Sequence, residues 1–458
     1  MSGVSKESVF CYTLFMLNLY NSVSKNVEEV PKMGHINLYT CGPTVYNYAH
    51  IGNLRSFISA DILYRTLKLD GYEPRWVMNI TDIDDKTIKG TLEQFGPGAT
   101  VENLRTFTSH YLEEFLKDLK EVNVLVDEIE FIRVTDVMPQ IQEFIMALIE
   151  KGYAYIADDG STYFSIEKYQ RDYGDYGHLV GDKFIEGKKV GARVKVDEYE
   201  KDNLSDFALW KAWAAEDGQI FWDHATLGKG RPGWHIECSV INHVAFNGEP
   251  THIHTGGVDL VFPHHTNEIA QSQALFGKGN FVRHWFHSEH LLVDGKKMSK
   301  REGNFHVLQD LEDKVSLSPW ALRYLFLQSH YRTQQNFTLE SLEAASNGIV
   351  GMINAVRDDS DQSANVAIES LLDDLNSAKA ISESSSAGVL DQLIGIELAE
   401  MLVEPLPAEV EHLSQLREQS RAQKDFATSD ELRDAIEKMG YEVLDTTDGQ
   451  KIRKKYKN

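Results

Sequence analysis

The chain has 458 residues, 42% hydrophobic and 25% charged, with 7 Trp, 19 Tyr and 21 Phe, which excludes disorder on the scale of the whole chain and calls for roughly three or four domains. Three cysteines with no CxxC exclude a disulfide framework and favour a reducing compartment, where a special cysteine is a ligand or a nucleophile. A formal net charge of −24, taken alone, argues against a nucleic-acid binder, because phosphate contacts need a basic surface.

The apolar run at residues 9–17 is too short to span a bilayer and carries no cleavage site, so a cytoplasmic protein without a membrane partner is expected. Residues 35–41 have strand character and end in Gly42-Pro43. Leu54, Phe57, Ile58, Ile62, Leu63 and Leu67 then recur at helical spacing, Gly71-Tyr72 closes the helix, and residues 74–80 form the next strand. This strand–helix–strand unit opens an α/β domain with a parallel sheet. From about 136 to 231 the texture changes to short strands (153–156, 162–165, 192–196) among charged loops, the pattern of an inserted subdomain. Residues 252–254 then read as a strand, Gly256-Gly257 as a turn and 263–275 as a helix. Beyond 345 the chain is mostly helical, with loops at 358–363 and 382–388, a helix over 410–438 and a strand over 440–445. Residues 449–458 carry five Lys or Arg and no acid, ordinarily a frayed, solvated end.

Two groups of residues carry chemistry. His264 and Glu268 are four apart on one helix face, a spacing that suits a divalent metal but is commoner as a plain surface contact. Cys41 and Cys238 are ordinarily buried hydrophobic thiols. All four fall near strand ends or at the start of the following helix, where open α/β sheets place their ligand crevice. Two thiolates, an imidazole and a carboxylate suit zinc better than magnesium or calcium. His50-Ile51-Gly52-Asn53 opens the first helix, whose N-terminus favours phosphate, and His50 can donate to a phosphate as its charge builds. Residues 294–301, DGKKMSKR, make a cationic loop suited to a polyphosphate, or a solvated lysine-rich turn if they stand alone.

Taken together, PTVYNYAHIGN (43–53) and KMSKR (297–301) resemble the paired signatures of class I aminoacyl-tRNA synthetases. TCGPTVY (40–46), NITDIDDK (79–86), GKGRPGWHIECS (228–239) and GGVDLVFPHHTNEIAQS (256–272) resemble the cysteinyl-tRNA synthetase family, over a likeness that runs from Met16 to the C-terminus. The resemblance implies a Rossmann-like parallel-sheet catalytic domain (16–135 and 232–275) with a connective insertion (136–231). It further implies a region bearing KMSKR (276–345), a helical bundle (346–408) and a small α/β anticodon-binding module (409–458), with 1–15 as an extension.

By the same likeness zinc is held by Cys41, Cys238, His264 and Glu268, with His264 preferred over His265, and binds the substrate thiolate. Gly42, Thr81, Trp234 and Asp259 line the amino-acid pocket. His50, Gly52, Asn53, Lys297 and Lys300 bind ATP and its Mg²⁺, and His50, Asn53, Lys297 and Lys300 stabilise the developing charge. Arg421, Phe426, Asp430 and Asp445 face the anticodon, and the basic tail becomes an RNA contact. The implied activity joins L-cysteine to tRNA(Cys) through cysteinyl-adenylate, and the implied state is a monomer. Asn53 stands where a histidine is usual, Arg301 where serine is, and Phe426 where tryptophan is frequent. A tryptophan often found after Gly449 is missing. Two other readings are a ligase that passes cysteine to a small-molecule amine, whose members generally lack the anticodon module, and a non-catalytic zinc-stabilised RNA-binding protein.

Overall fold

The computed structural model describes residues 16–174, 176–180, 189–194, 203–298, 303–355, 361–383, 387–396, 406–446 and 449–454. Cys11 and the extension 1–15 lie outside these residues, as do Lys300 and Arg301.

A hairpin of β1 (Asn18–Asn21) and β2 (Asn26–Glu29), which sequence periodicity did not mark, precedes the main sheet. Then follow β3 (His35–Thr40), α1 (Ile51–Leu69), β4 (Glu73–Ile80), α2 (Asp85–Phe95), α3 (Val101–Glu121) and β5 (Ile129–Arg133). α4 (Met138–Glu150) leads into the insertion: β6 (Ala154–Ile156), β7 (Thr162–Phe164), α5 (Ile166–Tyr173), β8 (Lys189–Val194), β9 (Asn203–Ala212) and β10 (Gly230–Pro232). Here β10, β9, β7 and β6 pair antiparallel in that order, and β8 pairs parallel with β9. Of the expected 192–196 strand, residues 195 and 196 lie outside the described residues.

The chain returns through α6 (Trp234–Ala245), β11 (Thr251–Gly257), α7 (Thr266–Phe276) and β12 (Val282–Ser288). The main sheet runs β12-β11-β3-β4-β5 and every pairing is parallel. Such a sheet is covered on both faces. Ile36, Leu38, Ile253 and Phe286 pack into the core on the α1 side, while Tyr39, Val77 and Ile236 pack into the core with α4 and α6. From β3 the first crossover passes through α1 to β4 on one side, whereas β11 and β12 add on the other. The strand order therefore reverses between β3 and β11, and the crevice opens beyond Thr40 and Gly257.

A three-stranded sheet follows, with β13 (Leu291–Val293) between β14 (Lys296–Lys297) and β15 (Gln335–Phe337). Helices α8 (Gln309–Glu312) and α9 (Ser318–Leu327) lie between them in sequence. Next come α10 (Leu339–Ala355), α11 (Asp361–Leu372), α12 (Ser377–Glu383) and α13 (Ala387–Ile394). The last unit is α14 (Ala408–Ala422), α15 (Phe426–Lys438), β16 (Tyr441–Thr446) and β17 (Gly449–Lys454).

Several expectations need correction. Gly256 and Gly257 are not a turn, because β11 continues through them, paired with His287 and Ser288 of β12. The helix expected from 263 starts at Thr266, after a wound segment Val261–His265 in which Phe262 has non-helical backbone angles. The single helix over 410–438 is two, because Lys424 takes a left-handed φ of 63° and Asp425 caps α15 by accepting from Thr428 N at 3.2 Å. The loop expected at 358–363 has already become α11 by Asp361, and its earlier residues lie outside the described ones. Likewise 382 and 383 end α12, 387 and 388 begin α13, and 384–386 lie outside. Residues 449–454 are no frayed end but the second strand of a hairpin with β16; 455–458 lie outside.

Candidate active site

A cleft of about 310 Å³ opens at the strand switch, lined among others by Cys41, Gly42, His50, Gly52, Asn53, Trp234, Asp259 and Lys297. Residues nearly 250 positions apart in sequence thus share one hollow.

Its floor is the sulfur cluster. Cys41 follows β3, Cys238 lies in the first turns of α6, His264 sits in the wound segment and Glu268 in the first turn of α7; all four are buried. Cys238 therefore belongs to a helix and not to a strand end. The Sγ atoms of Cys41 and Cys238 are 3.7 Å apart. His264 Nε2 lies 3.4 Å from Cys238 Sγ and 3.1 Å from Glu268 Oε1, which is 3.8 Å from Cys41 Sγ. Bonds of about 2.3 Å to sulfur and about 2.0 Å to nitrogen or oxygen give a zinc tetrahedron edges of about 3.3–3.8 Å. The four atoms have the spacing of such a shell, and the donor set fits a soft divalent metal.

The charges support this fit. Burial opposes an ionised Cys238 thiol, but hydrogen bonding from Cys41 and the His264 charge bring it down into the thiolate range. His264 is protonated against its burial by the same Cys238 sulfur and by Glu268. Burial and the neighbouring Cys238 push Cys41 up, and burial with the charge at Cys238 raises Glu268 to about 8. Two sulfurs and a carboxyl crowded around one imidazolium are an environment that a divalent cation relieves, by taking the place of the ligand protons.

Sequence reasoning missed a second layer of histidines. Cys41 Sγ also lies 3.4 Å from His254 Nε2 and 3.3 Å from His265 Nε2, so Cys41, His254, His265 and Glu268 form a second set of convergent ligand atoms. His265 Nδ1 in turn meets His287 Nε2 at 2.7 Å, and His287 Nδ1 meets Ser22 Oγ at 2.7 Å. The sequence signals were the second histidine of the 264–265 pair and, for His254, the HxH pattern 252–254 on β11. Its proximity to Cys41 comes from the parallel register His254–Tyr39 and was not visible in spacing.

Of the four expected pocket residues, Gly42, Trp234 and Asp259 line the cleft and Thr81 does not. Trp234 stacks on His264, centroids 4.2 Å apart and tilted by 27°, at the mouth of the metal cluster. It is brought there by Gly233, whose added Cβ would fall 1.9 Å from Ala208 O. Gly42 is similarly pressed on β4, with its N–H donating to Asn79 Oδ1 at 2.8 Å and an added Cβ 1.7 Å from Asn79 O. Asp259 is exposed at the rim. Thr81 is buried behind Thr44, donating to Glu237 Oε2 at 2.8 Å.

The other wall is the start of α1. His50 caps this helix: its Nδ1 accepts from Asn53 N at 3.1 Å, while its own N–H donates to Asn53 Oδ1 at 3.2 Å. With Nδ1 accepting and burial lowering its pKa, the His50 ring is neutral and carries its proton on Nε2. Asn53 likewise has its oxygen engaged, and among the described residues its NH₂ has no hydrogen-bond partner. Lys297 is exposed on β14, and Met298 beside it reaches within 3.5 Å of where a Cβ on Gly52 would lie.

Far from the cleft, Arg421 and Asp445 are paired with each other at 2.5 Å. Asp445 is also gripped by Arg417 at 3.0 Å and Arg433 at 3.1 Å, and the Arg417 hydrogen bond foremost holds it down at about 2. Phe426 is 64% exposed at the start of α15, and Asp430 is exposed one turn on.

A switched parallel sheet with HIGN at its first helix and Lys297, the first residue of KMSKR, on a flanking sheet is the arrangement of class I aminoacyl-tRNA synthetases, and the family described as "tRNA synthetases class I (C) catalytic domain" matches residues 27–347. In fold the chain is similar to Mycobacterium tuberculosis methionyl-tRNA synthetase, with TM-score 0.54 at 14% identity over 82% of this chain and 92% of that one. In sequence it is 39% identical to a cysteine--tRNA ligase of Protochlamydia amoebophila (strain UWE25), over 96% of this chain and 98% of that protein. It is 38% identical to one of Leptospira interrogans serogroup Icterohaemorrhagiae serovar Lai (strain 56601), over 96% and 99%. The chain belongs to the cysteine--tRNA ligase family.

Proposed function

We propose that this chain is a cysteine--tRNA ligase that activates L-cysteine with ATP to cysteinyl-adenylate and passes the cysteinyl group to the 3′ end of tRNA(Cys), releasing pyrophosphate and AMP. The observation that carries the reading is the cleft itself. It joins a buried S₂NO cluster with zinc-like edges to a helix N-terminus and a lysine-bearing strand.

Cys41, Cys238, His264 and Glu268 would hold zinc. Bound there, zinc supplies a soft seat for the substrate thiolate. That answers the difficulty of the substrate, because serine differs only by oxygen for sulfur and pocket shape rejects a near-isostere by about a hundredfold at most. Trp234, stacked on His264, closes the side-chain pocket, and Asp259 at the rim suits the ammonium group. Gly42, pressed against Asn79 of β4, carries the chain from Cys41 along the pocket wall.

The cysteine carboxylate then attacks the ATP α-phosphorus in line. His50 donates from Nε2, its tautomer fixed by the capping box, and Asn53 donates from its amide. The N-terminal end of α1 adds the helix dipole. Lys297 supplies positive charge to the polyphosphate, with Lys300 assigned the same role by the family pattern and Mg²⁺ accompanying the nucleotide. In the second step the terminal ribose hydroxyl of tRNA takes the cysteinyl group. The unit 408–454 would meet the anticodon, with Phe426 exposed for stacking on a base and Arg421, Asp430 and Asp445 near it. A cytoplasmic monomer is the setting that fits this work. Among the described residues no helix is long and apolar enough to cross a membrane.

The test is ATP–pyrophosphate exchange by the zinc-loaded protein. Exchange that depends on cysteine and is not elicited by serine is expected. Its absence with zinc and Mg²⁺ present contradicts the reading.

A further inference from the structure

Arg55 sits one turn into α1 and is only 2% exposed. A guanidinium buried to this degree ordinarily has a carboxylate partner. The Glu289 carboxylate favours the charge here without a hydrogen bond, and among the described residues the hydrogen-bond partners of Arg55 are all backbone carbonyls. Nη1 donates to Glu289 O at 2.6 Å and His290 O at 2.9 Å, and Nη2 donates to Thr333 O at 2.6 Å. Burial brings the group down to about 10, so it stays charged at neutral pH.

Those carbonyls are not scattered. Glu289 and His290 form the short link between β12 and β13, and with Ser288 and Leu291 they line the cleft. Thr333 precedes β15, the strand on which β13 rests. β13 in turn holds β14, which bears Lys297. Glu289 N also donates to Tyr331 O at 2.8 Å, and Ser56 Oγ meets Ser288 Oγ at 2.9 Å. The fork of one side chain therefore spans the junction between the helix that opens with His50 and the small sheet that carries Lys297. This junction lies on the α1 side of the main sheet, opposite the buried ligand cluster, which sits in the α6 core.

We infer that Arg55 is a positioning residue for the nucleotide half of the cleft, locking the α1 signature and the sheet that bears Lys297 in one register so that His50 and Lys297 face the same polyphosphate. The inference rests on the nucleotide reading of this cleft and names a residue for it. A planar fork with several donors suits the task, whereas a lysine ammonium, a point charge, cannot meet three carbonyls in the same geometry. A misplacement of about 1 Å at such a junction costs on the order of a hundredfold in rate.

The experiment compares Arg55→Met and Arg55→Lys with the parent, all zinc-loaded. ATP binding is measured by calorimetry, cysteine binding separately, and exchange kinetics with each substrate varied. Arg55→Met is expected to weaken ATP binding at least about tenfold and lower kcat/KM for ATP about a hundredfold, with cysteine binding within about twofold of the parent. Arg55→Lys, which keeps charge and bulk, falls between the two. If Arg55→Met does not fold, the Lys variant decides. Two results overturn the inference: folded variants that bind ATP like the parent, or ATP and cysteine affinities that fall by one common factor, as a merely structural loss would give. A parent that binds ATP but shows no cysteine-dependent exchange contradicts the ligase reading instead, and the ATP-to-cysteine affinity ratio still tests Arg55.

Discussion

At the scale of single residues the chemistry turns on Cys238. Its sulfur is 3.7 Å from Cys41 Sγ and 3.4 Å from His264 Nε2, so it closes two edges of the ligand shell. Cys238→Ser replaces the soft donor with a hydroxyl that does not ionise in this range, and nothing in the surrounding volume changes much. The variant is expected to fold, to lose bound zinc by elemental analysis, and to lose cysteine activation by at least about a hundredfold. A variant that discriminates cysteine from serine as well as the parent would sink the metal account. The four residues that converge in this cluster were legible in the sequence because they lie in long motifs in the right order. His254 as a neighbour of Cys41 was not, since its approach depends on the pairing of β11 with β3, and the sequence offers His265 only as an alternative to His264. Arg55 was equally hidden, its partners being carbonyls more than 230 positions away.

At the scale of elements, the strand–helix–strand opening was legible from alternating periods, because β3 and β4 are buried on both faces and α1 carries its own cap. Breaks that hinge on one residue were not, as at Lys424 between α14 and α15. One contact between elements yields a pH prediction. Asp118 of α3 is buried and accepts from Gln309 Nε2 of α8 at 2.6 Å, on the segment that follows the KMSKR loop. Burial, with Glu121 and Glu114 nearby, pushes its carboxyl up to about 7. The unfolded chain ionises this group near pH 4, so between about pH 4 and pH 7 the unfolded state binds fewer protons and the native state loses stability as pH rises. Asp118→Asn keeps the acceptor and removes the titration. It is expected to stabilise the protein by on the order of 2 kcal/mol at pH 8 and much less at pH 4.5. Thermal melts at the two pH values check this, and an equal shift at both would contradict it.

At the scale of the whole molecule, the bundle and the catalytic sheet are joined by buried polar groups and not by apolar packing alone. Arg323 of α9, fully buried, donates to Val122 O at 2.9 Å, to Asn123 O at 3.1 Å and to Ile394 O at 2.5 Å, and it pairs with Asp61 of α1. Asn123 Nδ2 reaches Gly395 O at 2.9 Å, so α1, the end of α3, α9 and the end of α13 meet at one knot. Through it α1 is joined to the bundle that precedes the C-terminal unit. In that unit the arginine collar of Asp445 was invisible in sequence, because Arg417, Arg421 and Arg433 come from two helices that the periodicity had merged. The negative total charge hid the RNA partner too, since it says nothing of where the basic residues lie. The most direct test of the whole reading follows radiolabelled cysteine in a reaction with ATP, zinc, Mg²⁺, tRNA(Cys) transcript and a sugar amine. The account predicts label on the 3′ end of the tRNA and none on the amine. Label on the amine alone, or no transfer to tRNA by a protein that forms the adenylate, would contradict it.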